Sequence, residues 1–452
     1  MNKKFLFFIF CLFIISKHIY AINVDDNRSN EIDKNNIFLP IVYIKIGNTV
    51  CSGVLINHRS ILTAAHCLKK GESVTVYTGN TIDETESGLK TSSFIKNPEI
   101  KRYTGFYGAS YDLALISLST PLLDITPYEI SSELPALNSY IYISGFGLHG
   151  TGSVPDSGFD KKKRWGTNIL NVISKENDIV GLSPLSQSEA KIILGFTFDK
   201  NSGDNLESTI SLGDSGSPLL IKVGETYKVV GIASWIRKSL DNQDRGYGSS
   251  AGYASISENI DWLNLNIPLK TVLSVNDGKW ENALNWNYDF YPNNFYNVES
   301  GDDFNNVSAR FYQVILNNDK SISSTIELDT LTVNSEGVLE IKSNSTLNVL
   351  LQTTLNGGTI SNHGLLNTKD LKVINGNIHN TFDINVSNNI ELINGKIVSN
   401  GNTKGKNLTV EHGKITGIGK FDFLNIINSG FISPGEGING SGQLTLISNT
   451  VL

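Results

Sequence analysis

A glycine recurs at a nearly fixed interval through the last quarter of the 452-residue chain. Gly358, Gly376, Gly395, Gly413 and Gly430 are 18, 19, 18 and 17 residues apart. Between them, Leu, Ile and Val alternate with polar residues, the pattern of a strand with one buried face. A period of this length fits one coil of a parallel β-helix with glycine at a corner. An antiparallel meander with similar hairpins is the alternative.

Two short segments extend the interpretation of this region. Gly278-Lys279-Trp280 resembles the opening segment of bacterial surface β-solenoid proteins, and Ser433-Pro434-Gly435 is similar to coils of autotransporter passenger domains. The resemblance implies a solenoid domain over residues 330–452, after a linker over residues 269–329. It also implies that the solenoid could contact a cell surface.

A second constraint is the motif Gly213-Asp214-Ser215-Gly216, which places a serine between two glycines on a tight turn. A serine hydroxyl is a weak nucleophile at its own pKa, so it needs a base and an orienting carboxylate. His66, in Thr-Ala-Ala-His-Cys, and Asp112, in Asp-Leu-Ala-Leu, are the candidates. Because these blocks are far apart in the sequence, the fold must bring three segments together.

The three blocks, in this order, resemble those of the trypsin/chymotrypsin family of serine proteases. The resemblance implies an all-β fold class, with a two-barrel trypsin-like protease domain over residues 22–268 followed here by the parallel β-helix. It implies that Ser215 is the nucleophile, His66 the general base and Asp112 the residue that orients His66. The backbone N–H groups of Gly213 and Ser215 would form the oxyanion hole.

The same resemblance locates a substrate pocket. Its base would be Thr209, and its walls would include Ser234, Trp235, Ile236 and Ala251. No acidic residue occupies the base, so cleavage after Lys or Arg is not expected. Ile236 and Ala251 are larger than glycine, so the pocket should be shallow and favour small or medium apolar side chains.

The N-terminus has the pattern of an export signal. Lys3 and Lys4 precede the apolar run Phe5–Ile15, and a short polar region ends at Ala21. This predicts a secretory signal peptide over residues 1–21 and a secreted protein of bacterial type, either extracellular or at the periplasm or cell surface. An uncleaved anchor is the alternative.

The cysteines fit that compartment. Cys11 lies in the signal run, which leaves Cys51 and Cys67. Two cysteines in an oxidising environment suggest one disulfide. In the family resemblance this disulfide closes the loop that carries the histidine.

Signal cleavage would make Ile22 the first residue of the mature chain. Proteases of this family are activated when a new amino terminus pairs with the aspartate before the serine, here Asp214. We therefore expect the α-ammonium group of Ile22 to pair with Asp214. The alternative is that residues 22–37 form a disordered leader over the surface.

Charge and composition limit the other functions. A net charge of −7 argues against nucleic acid as a partner, and the one basic cluster, 161–164, is interpreted as a solvated loop. His363, His379 and His412 do not fall on one coil, so no metal and no cofactor are expected. No transmembrane segment is expected in the mature chain. The sequence therefore favours a secreted serine endopeptidase acting on proteins or peptides, with a surface adhesin on an inactive protease scaffold as the alternative.

Overall fold

A computed structural model describes most of the chain after the predicted signal peptide, which lies outside the described residues. These are 22–27, 32–68, 73–85, 89–96, 108–179, 190–200, 202, 204, 206–241, 244–296, 309–435 and 442–451. The chain divides into two compact units, with the change after Leu265. Each unit is built almost entirely from strands, so the predicted all-β fold class is confirmed.

The first unit begins with a short strand and a closed barrel. Strand β1 is Ile22–Val24. The barrel contains β2 (Ile41–Ile46), β3 (Thr49–Asn57), β4 (Ser60–Thr63), β5 (Val74–Tyr77), β6 (Leu89–Lys96) and β7 (Ala114–Leu118). Its strand order is β2-β3-β4-β7-β6-β5, and every pair is antiparallel. The side chains of β2 are almost all buried, as expected for a strand whose residues are mostly Ile, Val and Tyr.

An eight-stranded sheet and a three-stranded sheet complete this unit. The larger one contains β8 (Glu129–Ile130), β9 (Tyr140–Gly145), β11 (Arg164–Ile169), β12 (Val172–Lys175), β13 (Ile192–Thr197), β15 (Pro218–Val223), β16 (Thr226–Arg237) and β17 (Ser250–Ser255). The smaller one has the order β10-β1-β14, where β10 is His149–Thr151 and β14 is Ser208–Thr209. A short helix, α1 (Ile260–Asn266), follows β17 and buries Leu263.

Two interpretations of the surface of this unit are wrong. The alternative of a disordered leader over residues 22–37 does not hold at its start, because Ile22 and Val24 are buried in the core of the first unit. The basic cluster was interpreted as a solvated loop, but Lys163 and Arg164 are buried. Each has a carboxylate partner, with Lys163 Nζ 3.6 Å from Asp33 and Arg164 bonded at 2.8 Å to Asp160, and this pairing makes their burial tolerable.

The second unit is a solenoid of parallel strands. One sheet has twelve strands: β18 (Leu269–Leu273), β20 (Phe295–Tyr296), β21 (Ala309–Leu316), β23 (Thr325–Asn334), β25 (Thr346–Asn356), β27 (Leu365–Val373), β29 (Asp383–Val386), β30 (Asn389–Leu392), β32 (Asn402–Val410), β34 (Lys420–Asn428), β36 (Thr445–Ile447) and β37 (Thr450–Val451). The other sheet has eight: β19 (Gly278–Lys279), β22 (Lys320–Ile322), β24 (Val338–Ile341), β26 (Thr359–Asn362), β28 (Gly376–Asn380), β31 (Gly395–Ser399), β33 (Lys414–Gly417) and β35 (Phe431–Pro434). Successive coils pair in parallel, which excludes the antiparallel meander.

The register of the coils explains the sequence repeat. Gly376 pairs with Gly395, and Ile360, Ile378 and Ile397 stack in adjacent coils with their side chains in the core. A Cβ atom at Gly376 would lie 2.6 Å from the backbone oxygen of Gly358, so this corner requires glycine. The parallel sheets already include β18 and β19, within the segment over residues 269–329 that the sequence predicted as a linker or entry segment of the solenoid.

Candidate active site

Ser215 lies on a tight loop between β14 and β15. Gly213 and Gly216 have φ values of 96° and 83°, which only glycine adopts readily. A Cβ atom at Gly216 would lie 2.3 Å from the backbone oxygen of Ser52. The Ser215 carbonyl accepts a 2.9 Å hydrogen bond from the Ser52 N–H in the first barrel. The close approach at Gly216 and the hydrogen bond from Ser52 therefore fix the loop against the first barrel. Ser215 itself remains partly exposed.

His66 and Asp112 come from two turns at the ends of barrel strands. His66 lies in a single 3-10 turn, Ala65–Cys67, directly after β4, and its side chain is 42% exposed. Asp112 ends the 3-10 turn Ala109–Tyr111 before β7 and is buried. Because β4 and β7 are paired neighbours in the barrel, their ends bring the two turns together.

The two side chains form a short, well-oriented pair. His66 Nδ1 is 2.6 Å from Asp112 Oδ2, and the His66 backbone N–H donates to Oδ1 at 2.9 Å. Ser234 Oγ donates to Oδ2 at 2.7 Å. Burial alone would raise the pKa of Asp112, but the charge of His66 and these hydrogen bonds hold that pKa below its usual value. An ionised carboxylate only accepts hydrogen bonds, so the His66 proton lies on Nδ1 and Nε2 is left as the basic nitrogen.

A disulfide joins the histidine turn to strand β3, whose Ser52 contacts the serine loop. Cys51 and Cys67 are bonded, with their Cα atoms 6.3 Å apart, so the predicted disulfide is confirmed. Cys67 Sγ lies 3.9 Å from His66 Nε2 and 3.7 Å from the Ser215 carbonyl oxygen. His66 Nε2 and the Ser215 carbonyl oxygen therefore both lie next to Cys67 Sγ.

Glu176 is a residue of this site that the sequence did not reveal. Its buried carboxylate accepts hydrogen bonds from the backbone N–H groups of Gly108, Ala109 and Ser110 at 3.1, 3.0 and 2.9 Å. The Ser110 hydroxyl donates a further bond of 2.6 Å. Glu176 therefore caps the turn that ends at Asp112. It is more than 60 residues away in sequence, and no local motif marks it.

Asp214 is buried beside the serine loop. Its carboxylate accepts hydrogen bonds from the backbone N–H groups of Gly147 and Ser211 at 2.7 and 2.8 Å. Burial raises the pKa of Asp214 to about 7, although these two hydrogen bonds oppose the rise. Ile22 lies close by, because its backbone N–H donates to the carbonyl of Leu148, the residue after Gly147, at 3.1 Å. Strand β1 therefore starts beside the loop that holds Asp214.

The expected pocket residues lie on the paired strands β16 and β17 and on β14 of the three-stranded sheet. Thr209 is buried in β14, and Ile236 of β16 pairs with Ala251 of β17. The ring of Trp235 lies across Gly252, where a Cβ atom would be 2.0 Å from it. Ser234 differs from the others, because its hydroxyl is bonded to Asp112.

Comparison with known proteins gives the family. The family model described as Trypsin matches residues 34–263, half of the chain. The chain belongs to the trypsin family. Family membership supports a serine peptidase with peptide substrates.

The individual relatives of this trypsin-family chain are distant. It is 27% identical to kallikrein-8 of Mus musculus over 223 residues, which cover 43% of this chain and 78% of the relative. It is 26% identical to vitamin K-dependent protein C of Oryctolagus cuniculus over 239 residues, which cover 49% of this chain and 47% of the relative. The chain thus spans about half the length of protein C. A solved structure of HL collagenase is 19% identical with a TM-score of 0.39, covering 53% of this chain and 98% of that one.

In the part of the chain that the structure describes, no helix has the length and apolar character needed to cross a membrane. No cluster of three or more His, Cys, Asp or Glu residues in these ranges could hold a metal ion.

Proposed function

We propose that this chain is a secreted serine endopeptidase with His66, Asp112 and Ser215 as its catalytic triad. Ser215 Oγ attacks the scissile carbonyl while His66 Nε2 takes the hydroxyl proton, and the protonated His66 then gives that proton to the leaving amine. A water molecule hydrolyses the resulting acyl-enzyme by the same path and regenerates Ser215. The N–H groups of Gly213 and Ser215 stabilise the oxyanion.

The observation that carries this proposal is the set of three hydrogen bonds to Asp112. They come from the His66 ring, the His66 backbone and the Ser234 hydroxyl, at 2.6, 2.9 and 2.7 Å. A buried carboxylate held in this way fixes the tautomer of the histidine and stabilises the imidazolium that forms during catalysis. A protein that used this fold only as a binding scaffold would have no need of such an arrangement.

The test is covalent labelling of the secreted protein by a fluorophosphonate, which reacts with activated serines. The wild-type protein should be labelled stoichiometrically, and Ser215→Ala should not be labelled. His66→Ala should slow labelling and peptide hydrolysis by at least about 10³-fold, because the base is lost. Peptide hydrolysis that persists in purified Ser215→Ala would refute the mechanism. Absence of labelling in a folded wild-type protein would favour the alternative function, an inactive protease scaffold used for binding.

Substrate preference follows from the pocket residues. Thr209 supplies no charge at the base, and the Ile236–Ala251 pair narrows the walls. Small or medium apolar side chains are therefore the preferred residues before the cleaved bond. A peptide library should show cleavage after Ala, Val or Leu at least about tenfold above cleavage after Lys or Arg, since a misfit or an unpaired charge costs more than 1.4 kcal/mol. Dominant cleavage after Arg would contradict this assignment.

Activation is proposed to follow from export. Signal removal after Ala21 makes Ile22 the amino terminus, and Ile22 is buried beside the loop that holds Asp214. In the uncut chain Ile22 has a φ of 60°, which is strained for a β-branched residue. Cleavage removes the preceding peptide bond and so relieves this strain. The freed ammonium group then pairs with Asp214 and orders the Gly213 N–H.

A further inference from the structure

A polar groove runs across the coils of the solenoid. Its volume is about 720 Å³, and it lies along the twelve-stranded sheet. The strand register shifts beside it, between Leu328 and Thr330 and between Val349 and Gln352. Irregularities of this kind bend a strand. Because the bends lie in successive coils, they line up along the groove.

One side chain from each of six successive coils forms a row along the groove. The row is in register from strand to strand and consists of Glu327, Asn348, Asn367, Asn385, Lys404 and Asp422. Since neighbouring strands are about 4.8 Å apart, its six positions span about 24 Å. The groove therefore suits a long, extended ligand with a repeating structure.

The centre of the row is a ladder of amides. Asn367 donates to Asn348 at 2.8 Å, and Asn385 donates to Asn367 at 2.8 Å. Each amide has two N–H donors and an oxygen with two lone pairs, and the ladder uses only part of that capacity. The ladder therefore presents oriented donors and acceptors at intervals of about 4.8 Å to a ligand in the groove. The half-buried side chain of Leu350 adds apolar surface beside them.

The lining residues of the groove carry no net charge. They include two acidic residues, Glu327 and Asp422, and two basic residues, Lys369 and Lys404. This disfavours a polyanion, which needs a strongly basic surface. The strands use their backbone N–H and C=O groups between coils, so an extended peptide cannot add there as another strand. A neutral chain of hydroxyl groups meets both conditions.

We propose that this groove binds a neutral polysaccharide in extended form. Hydroxyl groups of successive sugars bond to the amide ladder, and an apolar ring face contacts the Leu350 side chain. Glu327 and Asp422 lie at opposite ends of the row, about 24 Å apart. Glycoside hydrolysis needs two carboxyl groups within about 10 Å, so this pair cannot cleave the chain. The solenoid therefore acts as a binding surface whose function does not depend on that of Ser215.

The test uses the full-length chain with Ser215→Ala, so that self-cleavage cannot interfere. Calorimetric titration with cellohexaose, xylohexaose, maltohexaose and N-acetylated chitohexaose should give saturable binding for at least one sugar. Its trisaccharide should bind at least tenfold more weakly, because it covers half of the row. Heparin and an unstructured 12-residue peptide are the comparison ligands. Absence of binding by all four sugars, or preferred binding of heparin or the peptide, would overturn the proposal.

Variants then locate the binding. Asn367→Ala and Asn385→Ala should each raise the dissociation constant about tenfold, as expected when bonds of this kind are lost. The matched control is Asn334→Ala, which removes the middle amide of a second ladder, bonded to Asn317 and Asn356 at 2.8 and 3.4 Å outside the groove. Circular dichroism checks that each variant is folded. If one of the two groove variants does not fold, the other one alone decides the test. Equal loss in the control, or undiminished binding in a folded groove variant, would overturn the assignment.

Discussion

At the scale of single residues, the candidate active site depends on side chains that orient other side chains. Asp112 orients His66, Ser234 bonds to Asp112, and Glu176 caps the turn that carries Asp112. Each acts through a hydrogen bond to a buried acceptor, where an unmade bond costs about 1–3 kcal/mol. The geometry of the pair therefore depends on residues that never touch a substrate.

Glu176→Gln tests this positioning role. The neutral amide accepts with one oxygen only and turns its own N–H groups toward backbone donors, so the turn before Asp112 should loosen. We expect kcat per active site to fall about tenfold with little change in KM, since a displacement costing about 1.4 kcal/mol in the transition state has that effect. Active sites are counted by fluorophosphonate titration, which separates this effect from loss of folded protein.

Asp178→Asn is the matched control for Glu176→Gln. It removes one carboxylate charge from the same short turn at an exposed position. Its kcat should equal that of the wild type. If Glu176→Gln lowers only the yield of folded protein and leaves kcat per titrated site unchanged, Glu176 is structural and not a positioning residue.

At the scale of elements, side-chain hydrogen bonds of Asn23 help to hold β1 in place. The Asn23 side chain accepts from the Asp156 N–H at 3.1 Å and donates to the Arg245 carbonyl at 3.3 Å. Arg245 in turn bonds to the Asp156 carboxylate at 2.7 Å. Two loops of the first unit thus hold the strand that carries the proposed activating terminus.

A single extra residue at the amino terminus tests the proposed activation. The mature chain beginning at Ile22 should be active. The same chain with one glycine before Ile22 should have a kcat lower by about 10²-fold, because the ammonium group is moved and the Gly213 donor is not ordered. Mass spectrometry must show that the added glycine persists. Equal turnover in the two proteins would refute the proposal, while labelling of Ser215 in the mature chain would still support a serine peptidase.

The pH dependence of stability gives a second measurement on the same pair of proteins. Without an ammonium partner, the pKa of Asp214 is raised to about 7 from an ordinary value of 3.8. A raised pKa in the folded state means that its contribution to stability is fully present below about pH 4 and is lost as the pH rises through 7. The melting temperature of the glycine-extended chain should therefore fall more between pH 5 and 8 than that of the mature chain. Asp214→Asn should remove this difference.

At the scale of the whole molecule, the two units form their cores in different ways. The barrel and sheets of the first unit pair strands that are far apart in sequence, as when β4 meets β7. In the solenoid each coil pairs with the next one, so one continuous core extends from Val272 to Ile426. Stability in such an array comes from neighbouring coils, which lets surface side chains vary without loss of the fold.

Local patterns in the sequence determined much of this protein. The glycine interval and the alternation of apolar residues predicted the coils, because each coil repeats one local pattern and contacts only its neighbours. The parallel pairing of the strands then excluded the antiparallel meander. The sequence blocks around His66, Asp112 and Ser215 were enough to predict the family. The two cysteines outside the signal peptide were enough to predict the disulfide.

Only the tertiary structure decided the remaining features, because they depend on contacts between distant segments. The sequence alone suggests that Lys163 is solvated. In the folded protein its side chain is buried and lies beside the carboxylate of Asp33. Glu176 has no local signal, since its partners lie more than 60 residues away. The hydrogen bonds of the amide ladder exist only when coils stack, because Asn348, Asn367 and Asn385 recur at the coil period and the register of the parallel strands then brings them side by side.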